Sequence, residues 1–130
     1  MTYQFERDPD SGMILVTVLL DVAYKLKMVL DTGASRTTFD INVLRMIEYP
    51  INEITETDVI ETANGIIEIG VFKVDSISAF GYTTHNMKVQ VYDFLAHGIL
   101  SDYNGVLGLD FFEDTIFRIN MKNLTIEVKK

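Results

Sequence analysis

Asp31 stands at the end of an apolar segment and is followed at once by Thr32, Gly33, Ala34 and Ser35. An acidic residue before Thr and Gly is ordinary turn chemistry. A carboxylate delivered by a strand in this way can also move protons as a general acid or base, provided a second group shares the work. The other residue types narrow the choices. The chain contains no cysteine, which removes disulfides, thiolate nucleophiles and thiolate metal sites together. The two histidines, His85 and His97, have no ligand spacing to one another or to a carboxylate cluster, so both read as loop or rim residues, and neither a metal nor a cofactor is expected. Asp10-Ser11-Gly12 is the only other tripeptide of the Asp-Ser/Thr-Gly type. It follows Pro9 and charged residues rather than an apolar strand, and reads as a turn. Asp102 and Asp110 lie further on, and Asp110 is expected to cap a short helix that follows it.

The elements that must position Asp31 are β-strands. Tyr24, Leu26, Met28 and Leu30 alternate with Lys25, Lys27 and Val29, the period-2 pattern of a strand with one face inward. Met87, Val89 and Val91 repeat it around Lys88 and Gln90. Phe117, Ile119 and Met121, then Leu124, Ile126 and Val128, form two more strands with only Lys122-Asn123 left to join them as a tight hairpin. Asn64-Gly65 is the strongest hairpin signal, since both residues tolerate positive φ, and it connects two further β-type segments. Gly81 and the polar residues to Asn86 mark another turn. Helix is confined to a short piece capped by Asp40 and running to Ile47 before Pro50, and to a turn or two over residues 110–115. The methionines fall mostly at strand positions and are expected to fill the core. Short strands and close turns indicate an all-β structure, closed or in two sheets.

Composition bounds the partners. The chain has 130 residues and 48% hydrophobic content, sufficient for a single domain over residues 1–130 with its own core. Its net charge of −8 would repel a phosphate backbone, so no nucleic-acid partner is expected. The longest nearly unbroken apolar run, residues 13–20, is far short of the ~20 residues of a membrane helix. The N-terminus is polar and acidic, unlike a secretory signal. A cytoplasmic protein without a membrane partner is the expectation.

Leu30-Asp31-Thr32-Gly33-Ala34-Ser35, continued by Thr37-Thr38-Phe39, resembles the active-site loop of retropepsin-like aspartic proteases. That family carries a hydrophobic-hydrophobic-Gly triplet far downstream, present here as Val106-Leu107-Gly108. Between the two, the segment around Asn64-Gly65 stands where the family has its flap, a hairpin that folds over the substrate. The likeness spans roughly residues 13–128 in element order, and Leu107-Gly108-Leu109-Asp110-Phe111 is nearer to cellular and bacterial retropepsin-like proteins than to retroviral enzymes.

The resemblance implies a closed acid-protease barrel with one or two short helices and an aspartic endopeptidase acting on polypeptide. Two carboxylates about 3 Å apart cannot both ionise, so they share a proton and serve as acid and base together; aspartic proteases are the standing example of this arrangement. The chain supplies one such residue, Asp31, so the second must come from another copy across a two-fold axis. By the same resemblance Thr32 bonds across that homodimer, Gly33 and Ala34 support the loop, and Ala63, Asn64 and Gly65 form the flap tip and bind substrate. Departures are visible. Leu109 replaces an arginine that braces retroviral dimers, and Ser35-Arg36 replaces an acidic continuation. The residues leave open whether terminal strands or the C-terminal hairpin build the dimer. They also leave open a catalytically silent module kept for dimerisation or peptide binding, because fold alone does not guarantee activity.

Overall fold

The computed structural model describes residues 1–50, 56–63, 65–97 and 103–130. In chain order the strands are β1 (Thr2–Gln4), β2 (Glu6–Arg7), β3 (Ile14–Leu20), β4 (Tyr24–Leu30) and β5 (Thr38–Asp40), followed by helix α1 (Ile41–Met46). Then come β6 (Glu56–Thr62), β7 (Gly65–Lys73), β8 (Ser76–Ala79), β9 (Tyr82–His85), β10 (Lys88–Tyr92), β11 (Gly105–Leu107), β12 (Ile116–Asn120) and β13 (Thr125–Lys129).

The alternation of β4 appears in its burial: Lys25 and Lys27 are exposed while Leu26 and Met28 are buried. Its last residues, Val29 and Leu30, are buried too, because β4 runs into the middle of the large sheet. That sheet has the order β6-β7-β10-β5-β11-β4-β3-β8-β9, with β2 attached to β3. A separate sheet has the order β1-β13-β12. The expected closed barrel does not form among the described residues. The first and last strands of the large sheet, β6 and β9, do not pair with each other, and the terminal strand β1 pairs with β13 instead of bridging them. The result is mostly β, with two sheets.

A continuous core joins these sheets. Phe5 and Ile126 from the small-sheet side are buried with Val16, Val18, Leu20, Met28, Phe39 and Leu107. Aromatic rings reinforce the junction, with Phe112 stacked on Phe117 at 4.2 Å and edge-on to Phe111 at 5.0 Å. Of the methionines expected inside, Met28 is fully buried, whereas Met13, Met46 and Met121 are exposed.

Asp40 caps α1 as expected, its side chain accepting from Asn42 N. The turn over residues 110–115 is reduced to a 3₁₀ turn, Leu109–Phe112, whose N-cap is Gly108. Two loops differ from the sequence reading. Residues 82–85 form β9 rather than a turn, because Phe80 and Gly81, both at positive φ, close a tighter hairpin with Ala79 paired to Tyr82. The C-terminal hairpin closes at Asn120 and Thr125, so Met121 and Leu124 belong to a four-residue turn in which Asn120 Oδ1 accepts from Asn123 N.

Candidate active site

Strand β11 organises the site. It lies parallel to β4, with Leu107 opposite Leu30, and antiparallel to β5, with Val106 opposite Thr38. The strand entering the Asp31 loop and the strand leaving it thus flank a single central strand, and residues 31–37 must cross its end. Asp31 N donates to Leu107 O at 3.1 Å, which pins the carboxylate-bearing residue to the downstream triplet.

Within the loop, Gly33 N donates to Asp31 Oδ1 at 2.8 Å and Ala34 N to Asp31 O at 3.1 Å. A Cβ on Gly33 would stand 3.1 Å from the same carboxylate oxygen, so the close N–H approach favours glycine. Asp31, Thr32 and Gly33 are all exposed, an unusual placement for a residue delivered by a buried strand. The second carboxylate oxygen of Asp31 and the Thr32 hydroxyl have no hydrogen-bond partner among the described residues.

Beneath this exposed tip the loop is locked. Thr37 is fully buried, and its hydroxyl donates to Asp110 Oδ1 at 2.7 Å while accepting from Gly108 N at 3.1 Å. Thr37 N donates to both Asp110 oxygens, at 2.8 and 3.0 Å. Leu109 N donates to Ala34 O at 2.8 Å. Gly108 passes so close to the loop that a Cβ would meet the Arg36 carbonyl carbon and oxygen at 2.7 Å. Asp110 therefore does not cap the turn that follows it, as the sequence suggested; it clamps Thr37. Sequence reasoning missed this pairing, for which the signal was a threonine shortly after Asp31 and an aspartate directly after Gly108-Leu109.

The β6–β7 hairpin is closed by Thr62 paired to Gly65, one position earlier than the Asn64-Gly65 turn signal implied. Ala63 and Gly65 are exposed at its end, and Asn64 lies outside the described residues. Val59 and Ile66 also present apolar side chains to solvent there, 59% and 72% exposed. The base of the hairpin and the loop both line a cavity of about 270 Å³, through Thr57, Asp58 and Val71 and through Arg36.

The remaining candidates stand apart. Asp10-Ser11-Gly12 is a turn, with Asp8 Oδ1 accepting from Asp10 N and Ser11 N. His85 is exposed at the end of β9 and His97 closes a 3₁₀ turn, while Asp102 lies outside the described residues. Among the described residues no group of three metal-ligating side chains converges.

Residues 16–111 match a family described as aspartyl protease. Among solved structures, the chain is similar to a retropepsin-like aspartic protease from Rickettsia conorii, with 24% identity, a TM-score of 0.73, and coverage of 99% of this chain and 91% of that one. That likeness shows the fold. No curated protein sequence matches the chain.

Proposed function

The chain belongs to the aspartyl protease family, and on that premise we propose that it is an aspartic endopeptidase, active as a homodimer, in which Asp31 of each copy faces its symmetry mate. The observation that carries this reading is the exposed Asp31 carboxylate, oriented by Gly33 N on a loop clamped from below yet with one oxygen unpartnered. A lone carboxylate in that setting has half of what metal-free amide hydrolysis requires.

In the dimer the two carboxylates hold one proton between them. The ionised one takes a proton from a bound water as the water oxygen attacks the scissile carbonyl carbon. The protonated one donates to the carbonyl oxygen; the proton taken from water then passes to the leaving nitrogen as the C–N bond breaks, and a hydroxyl of the gem-diol returns its proton to the pair as the product carboxyl forms. Thr32, whose hydroxyl can donate and accept, interlocks the two loops beneath the pair. Gly33 and Ala34 hold each carboxylate in place. Ala63, Asn64 and Gly65 form the flap that binds an extended polypeptide by strand addition and excludes water. The whole chain acts as one domain in the cytoplasm. Among the described residues no helix is long and apolar enough to cross a membrane.

The test is a cleavage assay on unfolded polypeptides from pH 4 to 7, alongside solution mass over a range of concentrations. The expected result is a dimer with an acidic optimum whose Asp31→Asn variant stays folded and dimeric but inert. Turnover by that variant, or by a strictly monomeric protein, would overturn the reading. Tight peptide binding without any cleavage would favour a silent binding module instead.

A further inference from the structure

The cavity beside the Asp31 loop is lined by a guanidinium, Arg36. Lys88 and the buried Val89 and Gln90 of β10 also line it, with Thr57, Asp58 and Val71. Arg36 is exposed, and its guanidinium makes no ion pair or hydrogen bond among the described residues. The carboxylate in the lining, Asp58, has one oxygen bonded to Val59 N at 2.8 Å. In a chain with a net charge of −8, this places a guanidinium that is unpaired among the described residues in a cavity five positions along the chain from the candidate catalytic group. A second depression that Arg36 also lines is acidic, with Asp110 and Glu113 in its lining.

The backbone that carries Arg36 is held from its carbonyl onward. Its carbonyl packs against Gly108, and the next residue, Thr37, is held by Asp110 through three hydrogen bonds. The guanidinium carried there offers a rigid planar fork of donors, which suits bidentate capture of a carboxylate. The cavity volume of about 270 Å³ accommodates a glutamate-sized side chain, with the apolar Val71 against its methylenes.

We propose that Arg36 is a specificity residue that selects an acidic side chain in the substrate, Glu or Asp, close to the scissile bond. This rests on the endopeptidase reading above. Because the dimer proposed there carries two copies of Arg36, the acidic preference falls on both sides of the cleaved bond.

Digesting unfolded proteins and mapping the cleavage sites by mass spectrometry tests it, with kcat/KM for matched peptides carrying Glu or Gln at the selected position. The wild-type protein is expected to enrich Glu and Asp at fixed positions and to lose about tenfold in kcat/KM on the Glu→Gln peptide. Arg36→Glu is expected to invert the preference toward Lys and Arg. Since the side chain is exposed and unpaired, that variant should fold, and the Glu→Gln peptide comparison on wild-type protein stands without it. A site profile blind to acidic residues, or one unchanged by Arg36→Glu, would overturn this proposal while leaving the peptidase reading intact. Absence of all cleavage by wild-type protein would overturn both.

Discussion

The clamp beneath the Asp31 loop makes a quantitative prediction through Thr37. Valine has nearly the outline of threonine, with a methyl in place of the hydroxyl, so Thr37→Val should keep the packing of this fully buried position and remove two hydrogen bonds. One is the bond to the Asp110 carboxylate at 2.7 Å, and bonds to charged groups contribute about 1.5–3 kcal/mol. The other leaves Gly108 N–H buried without its acceptor, a loss of about 1–3 kcal/mol. Asp110 keeps its two bonds from Thr37 N, which offsets part of the total, so a destabilisation of about 3 kcal/mol is expected. Thr37→Ser is the control. It retains the hydroxyl and deletes one buried methyl, for about 1 kcal/mol including the small void. Urea unfolding at neutral pH and one fixed protein concentration measures both, the concentration being fixed because the proposed assembly would contribute to apparent stability. If serine proves as damaging as valine, the position is held by its methyl and the hydrogen-bond account of the clamp is wrong.

Gly108→Ala should be severe for a different reason. The new Cβ would press on the Arg36 carbonyl carbon and oxygen at 2.7 Å and on Ala34 O at 2.9 Å, and since these are backbone atoms no rotamer change relieves the clash. A loss of about 3 kcal/mol is expected by urea unfolding, together with reduced cleavage, and a wild-type midpoint would contradict it. Tyr49 offers a pH test. Burial, and then the 2.6 Å bond its hydroxyl donates to Asp21 Oδ2, raise its pKa well above the usual 10. A group with a raised folded-state pKa contributes stability that is complete below its unfolded value and is lost as pH rises through its folded one. Tyr49→Phe should therefore cost about 1.5–3 kcal/mol at neutral pH, and the gap between variant and wild type should narrow above pH 10. Parallel stability curves from pH 7 to 11 would refute the assignment.

Much of the site was readable from local pattern because its signals are local. The apolar alternation ending at Leu30 placed Asp31 at the end of a strand, and Asp40 announced the start of α1 through an ordinary cap. The downstream triplet was singled out through the family resemblance, and β11 lies beside β4. Errors of detail arose where neighbouring residues carry weak information. Phe80 accepts a positive φ that its type disfavours, so the polar Tyr82–His85 stretch was mistaken for the turn when it is a strand edge.

The larger differences come from choices made across long separations. Asp110 could be read as a helix cap because caps depend on adjacent backbone, but its carboxylate is engaged by Thr37, 73 positions away, once β11 brings the two loops together. Likewise, periodicity shows that a strand has an inward face without saying which strand lies beside it. The pairing of β1 with β13, and the lack of any pairing between β6 and β9, leave the large sheet open, and that outcome follows from competition among strand edges that no segment encodes separately. Residue types and short-range spacing thus established the β class and set a carboxylate, Asp31, at the end of β4. Its exposure, the buried lock under it and the cavity at its side emerged from the packing of distant strands, because hydrogen bonds and burial are properties of neighbours in space rather than along the chain.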